Sequence, residues 1–354
     1  MGQGEVYVMR SYTKQVWPIN QLFILMASMS IILMAMKFSV DILVPLLIAS
    51  AIAILLAPLI KYLEIKYIPK VISLIFVTVL VLMPVIALGG YIGDEVEDFI
   101  KNYHTFEVEF DAWLTKIAHS INQIGISVTQ EDLKNALDKS NFSALIQGLA
   151  TQTKNQFSNI FWIFFLVAFI LMDSTYLYNK LQKIMSDREG SIEEGMEIIE
   201  KIKTYFLIKV KTSLLTALWI LIVLWFYDIR YAFLWATLVF FLNFIPVVGS
   251  IFAAIPAIIM ALLDHSMMTA IWIILWYLIV NTVIGNILEP HIMGRGLGLS
   301  ALTIFLSMIF WGWMFGPAGM ILSVPLTMGV QFLFDQYEET KWLAFMLGDY
   351  KGVE

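Results

Sequence analysis

The chain has 354 residues, 60% of them hydrophobic and 14% charged, with no cysteine and a formal net charge of −6. Soluble globular proteins carry roughly 45–50% apolar and about 25% charged residues, so this composition, with a mean hydropathy of +0.80, excludes an ordinary soluble enzyme. Lack of cysteine excludes disulfides, thiolate metal sites and cysteine nucleophiles together.

A helix needs about 20 apolar residues to cross a hydrocarbon core about 30 Å thick. Eight runs free of Asp, Glu, Lys and Arg occur, at residues 15–36, 42–60, 71–93, 155–172, 212–227, 231–263, 265–288 and 296–334. They predict an all-α polytopic membrane protein whose surroundings are the lipid bilayer. Arg10 and Lys14 precede the first run, but its length and the second run soon after Asp41 favour a retained anchor hairpin over a cleaved signal.

In chain order, residues 1–93 read as three transmembrane helices and 94–154 as an extracytoplasmic cap. A fourth transmembrane helix follows at 155–178, then a cytoplasmic amphipathic helix at 179–211, a core at 212–335 and a cytoplasmic tail at 336–354. Trp113, Ile117, Ile121 and Ile124 recur at helical spacing in the cap, and Leu133 and Leu137 begin a second stripe. In the inner insertion, Ser191 and Glu194 form a capping-box pattern, and Glu197 and Lys201 are placed for an i, i+4 pair. The stretch 179–211 carries seven basic residues, while 94–154 carries ten acidic and five basic ones. The positive-inside rule therefore places both termini in the cytoplasm.

The sixth and eighth runs are 33 and 39 residues long, and each is interrupted near its middle. The sixth reads Asn243-Phe-Ile-Pro246-Val-Val-Gly249, with Pro256 beyond. The eighth reads Phe315-Gly316-Pro-Ala-Gly319, with Pro325 beyond. Proline removes a backbone donor and glycine permits the dihedrals of a tight reversal, so both helices are expected to break. Broken backbone at membrane depth survives only within protein or beside a watery cavity. Each run is therefore read as a re-entrant hairpin, the first entering from outside after Arg230 and the second from inside after Arg295. Long proline-kinked single spans are the alternative. Run five with the first hairpin and run seven with the second would form an inverted repeat, an arrangement that characterises many secondary transporters.

Run seven carries Thr282, Asn286 and Glu289 at i, i+4 and i+7, with Asn281 and Gly285 alongside. An ionisable group at the end of an apolar span is a candidate for proton or cation coupling, and Glu289 fills that role. Its structural alternative is a carboxylate paired with Arg295 or capping backbone. Candidate pathway residues are thus Asn243, Pro246, Gly249, Asn281, Asn286, Glu289, Arg295, Gly316 and Gly319.

The segments Asn243-Phe-Ile-Pro-Val-Val-Gly249, Asn286-Ile-Leu-Glu-Pro-His-Ile-Met-Gly294, Gly296-Leu-Gly-Leu-Ser300 and Phe310-Trp-Gly-Trp-Met-Phe-Gly-Pro-Ala-Gly-Met-Ile-Leu-Ser-Val-Pro-Leu326 resemble the autoinducer-2 exporter family of bacterial membrane proteins. The match is close from about residue 231 to 334. The resemblance implies a multi-pass protein of the bacterial inner membrane and a homo-oligomer, with a pentamer among the options. Some members are described as exporters of the quorum-sensing signal autoinducer-2, others as sodium or lithium/proton antiporters. Where the family often has proline and a further glycine, this chain has Ser250 and Ala253.

Other chemistry finds no support in the sequence. There is no phosphate-binding Gly-x-x-x-x-Gly-Lys-Ser/Thr loop, no His-Glu-x-x-His and no Gly-x-Ser-x-Gly. No enzyme activity, cofactor or resident metal is expected, and basic clusters are too thin for nucleic acid. The expectation is a secondary transporter of a small polar solute, proton or sodium ion. An oligomeric scaffold or receptor is the contrasting class.

Overall fold

The computed structural model describes residues 19–123, 162–173, 191–246, 248–293 and 298–348. Every regular element among them is helical, as expected for an all-α polytopic membrane protein. Five helices are long and apolar enough to span a membrane, and five shorter apolar ones accompany them.

The chain divides into two compact units, Met1–Leu43 and Val44–Glu354. In the first unit, α1 (Ile19–Phe38) has no charged residue before Lys37. Its Phe23, Ile24, Ile31 and Ile32 are exposed, the surface that lipid accepts and water does not. Helix α2 (Val40–Ile65) begins at the end of that unit and runs into the second.

In the second unit, α2 packs with α3 (Lys70–Lys101) and α5 (Trp162–Asp173). Ala49 and Ala53 of α2 are fully buried one turn apart, against Leu74 and Val77 of α3 and Val167 and Leu171 of α5. In lipid there is little hydrophobic drive between helices, so small residues that let backbones approach supply the packing. Helix α3 runs unbroken through the expected boundary at residues 93 and 94. Its 32 residues extend about 48 Å, more than a bilayer core requires.

Helix α4 (Tyr103–Gln123) lies in the segment read as a cap, with Phe106, Leu114 and Ala118 buried. Leu133 and Leu137 lie outside the described residues. Helix α6 (Ser191–Phe226) is one continuous helix of 36 residues across the expected boundary at 211 and 212. It carries the expected Glu197–Lys201 pair at 2.7 Å, on its exposed side. The Ser191 and Glu194 side chains lie outside the described set.

The rest of the unit is hairpin, long helix, hairpin. The first hairpin is α7 (Ala232–Leu242) and α8 (Gly249–Asp264), and the second is α10 (Ala301–Phe315) and α11 (Pro317–Asp335). Between them stands α9 (Met267–Met293), and a short α12 (Lys341–Leu347) comes last. The arms of 11 and 16 residues in the first hairpin extend about 16 and 24 Å, too short to cross the core alone.

Both hairpins fold back on themselves. The Arg230 backbone N–H, at the start of α7, donates to Asp264 Oδ2, at the end of α8, over 3.0 Å. Gln331 Nε2, near the end of α11, donates to the Gly298 carbonyl before α10 over 3.1 Å. Trp311 Nε1 crosses the second hairpin to Thr327 Oγ1 at 3.0 Å. These bonds exclude a kinked helix running straight on in either place.

Glycine makes the reversals possible. A Cβ at Gly249 would overlap the Leu242 carbonyl oxygen, and one at Gly319 would overlap that of Trp311. Gly316 adopts φ 67°, ψ −149°, a region open essentially to glycine alone. Pro317 then starts α11, where its missing N–H costs nothing.

Two apolar clusters meet along α6. Ala217, Ile220, Val223 and Leu224 join α7, α8 and α9, together with Phe99 and Phe106. Tyr205 and Phe206 instead join Leu322, Val324 and Met328 of α11.

Candidate functional site

Between those clusters α6 buries a polar seam. Tyr205, Lys209, Thr212, Ser213 and Thr216 are all buried, and their spacing places them on one face of the helix. The exposed face over the same turns carries Leu214, Leu215, Leu218 and Trp219. The seam therefore points into protein while the opposite face suits lipid.

Glu289 meets this seam. Its Oε1 lies 2.6 Å from Lys209 Nζ, with the two side chains only 12% and 10% exposed. The Thr212 hydroxyl is shared between Glu289 Oε2 at 3.2 Å and the Lys209 carbonyl at 3.3 Å. Lys209 Nζ also donates to the Asn243 carbonyl at 3.3 Å, in the break of the first hairpin. Asn243 Nδ2 in turn donates to Ser213 Oγ at 3.0 Å. A lysine from a neighbouring helix thus reaches a backbone carbonyl three residues before Pro246.

Burying a carboxylate or an ammonium alone costs several kcal/mol; the pair survives because each compensates the other and hydrogen bonds occupy the remaining positions. Compensation is incomplete. An ammonium has three donors, and two acceptors stand within reach among the described residues. The Tyr205 hydroxyl is buried with no hydrogen-bond partner there, within electrostatic reach of Glu289.

The carboxylate is positioned by an unusual winding. Residues Asn281–Leu288 within α9 form a π-helix, after which α-helical turns resume at Glu289. Such segments are frequent at functional sites. The wider winding breaks up the anticipated stripe. Thr282 and Asn286 are exposed, as are their neighbours Val283 and Ile287, while Glu289 turns inward.

The nine candidate residues thus divide. Asn243 and Glu289 converge through Lys209, and Pro246 and Gly249 shape the turn beside them. Asn281 leans over Gly285, and Asn286 is exposed. Gly316 and Gly319 form the second hairpin and are not among the described partners of Glu289. Arg295, the partner considered for Glu289, lies outside the described residues; the observed partners are Lys209 and Thr212. Lys209 and its seam escape the sequence reading, although the spacing 205, 209, 212 and 216 leading into an apolar run carries their signal.

At the mouth of the first hairpin lies a second charged cluster. Arg230 pairs with Asp264, and with Glu109 of α4 at 2.8 Å, while its guanidinium stacks 4.7 Å over Phe106. Tyr231 Oη donates to Asp98 Oδ2 at 2.8 Å, and the Leu234 N–H to Glu95 Oε2 at 2.9 Å. Here α3 and α4 clasp the hairpin. An open cleft of about 400 Å³ adjoins, lined by Glu109, Trp113, Lys116, His265 and Ser266. Among the described residues no group of acidic or histidine side chains is arranged for a metal ion.

Residues 26–339 match the model of the AI-2E family transporters. The chain belongs to the AI-2E transporter family. It is 34% identical to the AI-2 transport protein TqsA of Escherichia coli (strain K12), over 93% of this chain and 96% of that protein. A putative transport protein of Haemophilus influenzae is 32% identical over 91% of the chain and 94% of its own length. The putative transport protein YhhT of Escherichia coli (strain K12) is 28% identical over 91% and 93%. This AI-2E chain is accordingly a multi-pass membrane transporter, and its relatives carry the names of transport proteins, not of enzymes.

Proposed function

We propose that the chain is a secondary exporter of a small polar solute, with autoinducer-2 or a similar sugar derivative as the leading candidate. The pathway passes the break at residues 243–248, and Glu289 is the carboxylate that couples flux to an ion gradient. The observation carrying this reading is the largely buried Lys209–Glu289 pair, with the Asn243 carbonyl on the same ammonium. Ionisable groups within a membrane are expensive, and they mark ion and substrate pathways. The name of TqsA supports the choice of solute. Absence of a phosphate-binding loop from the sequence favours gradient-driven transport over ATP hydrolysis by this chain.

The two hairpins are read as entering from opposite sides, so that α6 with the first and α9 with the second form an inverted repeat around the site. The basic stretch at 179–211 supports an orientation with both termini in the cytoplasm, in a bacterial inner membrane. A homo-oligomer of undetermined number completes the reading. Sodium or lithium/proton antiport is a second reading, favoured by a largely buried carboxylate that meets the Thr212 hydroxyl and shares Lys209 with the Asn243 carbonyl.

Reconstitution into liposomes tests the proposal. An autoinducer-like sugar derivative should cross under a proton or sodium gradient, and Glu289→Gln should abolish that flux. Sodium movement without the sugar selects antiport. A protein that moves neither is a scaffold, and the reading falls.

A further inference from the structure

We propose that the cleft at the mouth of the first hairpin is a binding site for a small uncharged polyhydroxylated molecule, of the size of a monosaccharide. The inference deepens the transport reading above and rests on it for the solute's route, because the cleft adjoins the hairpin whose break that solute is read to pass.

The cleft encloses about 400 Å³, within the range of small-molecule sites. Glu109, Trp113 and Lys116 of α4 form one wall, at i, i+4 and i+7, the spacing that sets side chains along one helix face. Leu263, His265 and Ser266, from the end of α8 and the turn into α9, form the other.

An indole thus stands between an acceptor and a donor. Phe110 stacks on Trp113 with ring centroids 5.7 Å apart, which holds the ring at the wall. The face of an indole is the negative part of its quadrupole, so it receives the C–H face of a saturated ring. Hydroxyls around such a ring are then turned towards the flanking polar groups.

Those groups are already oriented. Arg230 Nη2 donates to Glu109 Oε2 at 2.8 Å, and Oε1 makes no hydrogen bond among the described residues. His265 Nε2 lies 3.2 Å from the Asp228 carbonyl. A carbonyl only accepts, so Nε2 is the donor and Nδ1 of the neutral ring is left as an acceptor. A hydroxyl both donates and accepts, so a polyol gives protons to Glu109 and His265 and takes one from Lys116.

Charge decides the class of ligand. Glu109 and Asp264 balance Arg230 and Lys116, so an ion of either sign meets its like as well as its opposite. Glu109 and Lys116 stand about 10 Å apart along the axis of α4. That exceeds the separation of ammonium and carboxylate in an α-amino acid, so one such zwitterion does not meet both. A neutral ring with hydroxyls on opposite sides does.

The experiment is saturation-transfer NMR of D-xylose with the full-length protein, without any gradient, in a detergent free of sugar and choline groups. The pyranose of D-xylose offers a flat C–H face ringed by hydroxyls. Choline chloride and glycine are the cationic and zwitterionic comparisons. Wild type should show saturable transfer to the ring C–H protons of D-xylose, and none to choline or glycine. Trp113→Ala should weaken D-xylose binding by roughly tenfold, and Trp113→Phe by less. Ala112→Trp, at an exposed position on the cleft wall, fills the space and should abolish binding with the melting temperature unchanged. It also provides the measurement if Trp113→Ala fails to fold.

No saturable D-xylose binding in wild type, binding undiminished in Trp113→Ala or Ala112→Trp, or choline or glycine bound as tightly as the sugar would overturn the proposal. If D-xylose does not bind while liposome flux persists and is lost in Glu289→Gln, the cleft assignment fails and the transport reading stands. Saturable binding that Ala112→Trp removes, in a protein that moves no solute, keeps the site and removes the transport reading.

Discussion

Lys209 Nζ and Glu289 Oε1 lie 2.6 Å apart, joining the middle of α6 to the end of the π-helical stretch of α9. With the Asn243 carbonyl as third member, this contact ties the first broken hairpin to both long helices of the transport region.

Removing one member of that pair should be costly to the fold. Lys209→Met leaves Glu289 buried without its counter-ion, and the loss should be about 3–5 kcal/mol. Lys209→Met combined with Glu289→Leu should recover most of that stability and still carry no flux. Thermal unfolding in detergent and liposome flux, measured on the same preparations, check both halves. A double variant no more stable than the single one would show that the pair is not the reason for the loss.

The Tyr205 hydroxyl invites the opposite experiment. It is buried without a partner among the described residues, so Tyr205→Phe should leave stability unchanged or raise it by up to about 1 kcal/mol, because an unsatisfied group is removed. Flux should nevertheless fall if the hydroxyl serves the passing ion or solute. Unchanged flux would exclude it from the pathway.

Hairpin geometry is open to a glycine test. Gly249→Ala and Gly319→Ala place a methyl group on the Leu242 and Trp311 carbonyl oxygens, so the arms must separate. Each should cost on the order of 2–4 kcal/mol, at the upper end of single substitutions. Gly89→Ala, which meets nothing, should be neutral or slightly stabilising. Melting temperature and size-exclusion profile are the readouts.

Topology can be read with single cysteines, since the natural chain has none. Phe226→Cys and Met267→Cys, at exposed positions on either side of the first hairpin, should label from the same face of the membrane. Leu302→Cys and Leu333→Cys, exposed at the ends of the second, should both label from the other face. An impermeant maleimide applied to oriented vesicles makes the comparison. Opposite labelling within either pair would contradict re-entrance.

How much of the site is legible in the sequence depends on how local each signal is. Proline and glycine act on their own backbone, so the breaks at Asn243–Gly249 and Phe315–Gly319 can be placed from the residues alone. Glu289 stands out because a carboxylate ends a long apolar run. Its partner does not, because an ion pair between residues far apart in the chain is a fact of packing. Lys209 sits in a basic stretch that reads as a solvated end of helix, and only the continuity of α6 makes it interior. The π-helical winding is signalled only in part: Pro290 lacks the N–H that an α-helix would give the Asn286 carbonyl, yet a proline alone does not specify a π-turn. Regular α-helical spacing therefore puts Thr282 and Asn286 on the same face as Glu289, where the structure does not.

That winding has a mechanical meaning. A π-turn holds about one residue more than an α-turn, and each residue subtends about 100° around the helix axis. Passing the surplus residue one position along α9 needs only a local exchange of backbone bonds, yet everything crossed by the surplus rotates. Glu289 lies immediately beyond the last wide turn. Displacing that turn past it would swing the acid away from its lysine while the rod remains whole, the rotation of a crank.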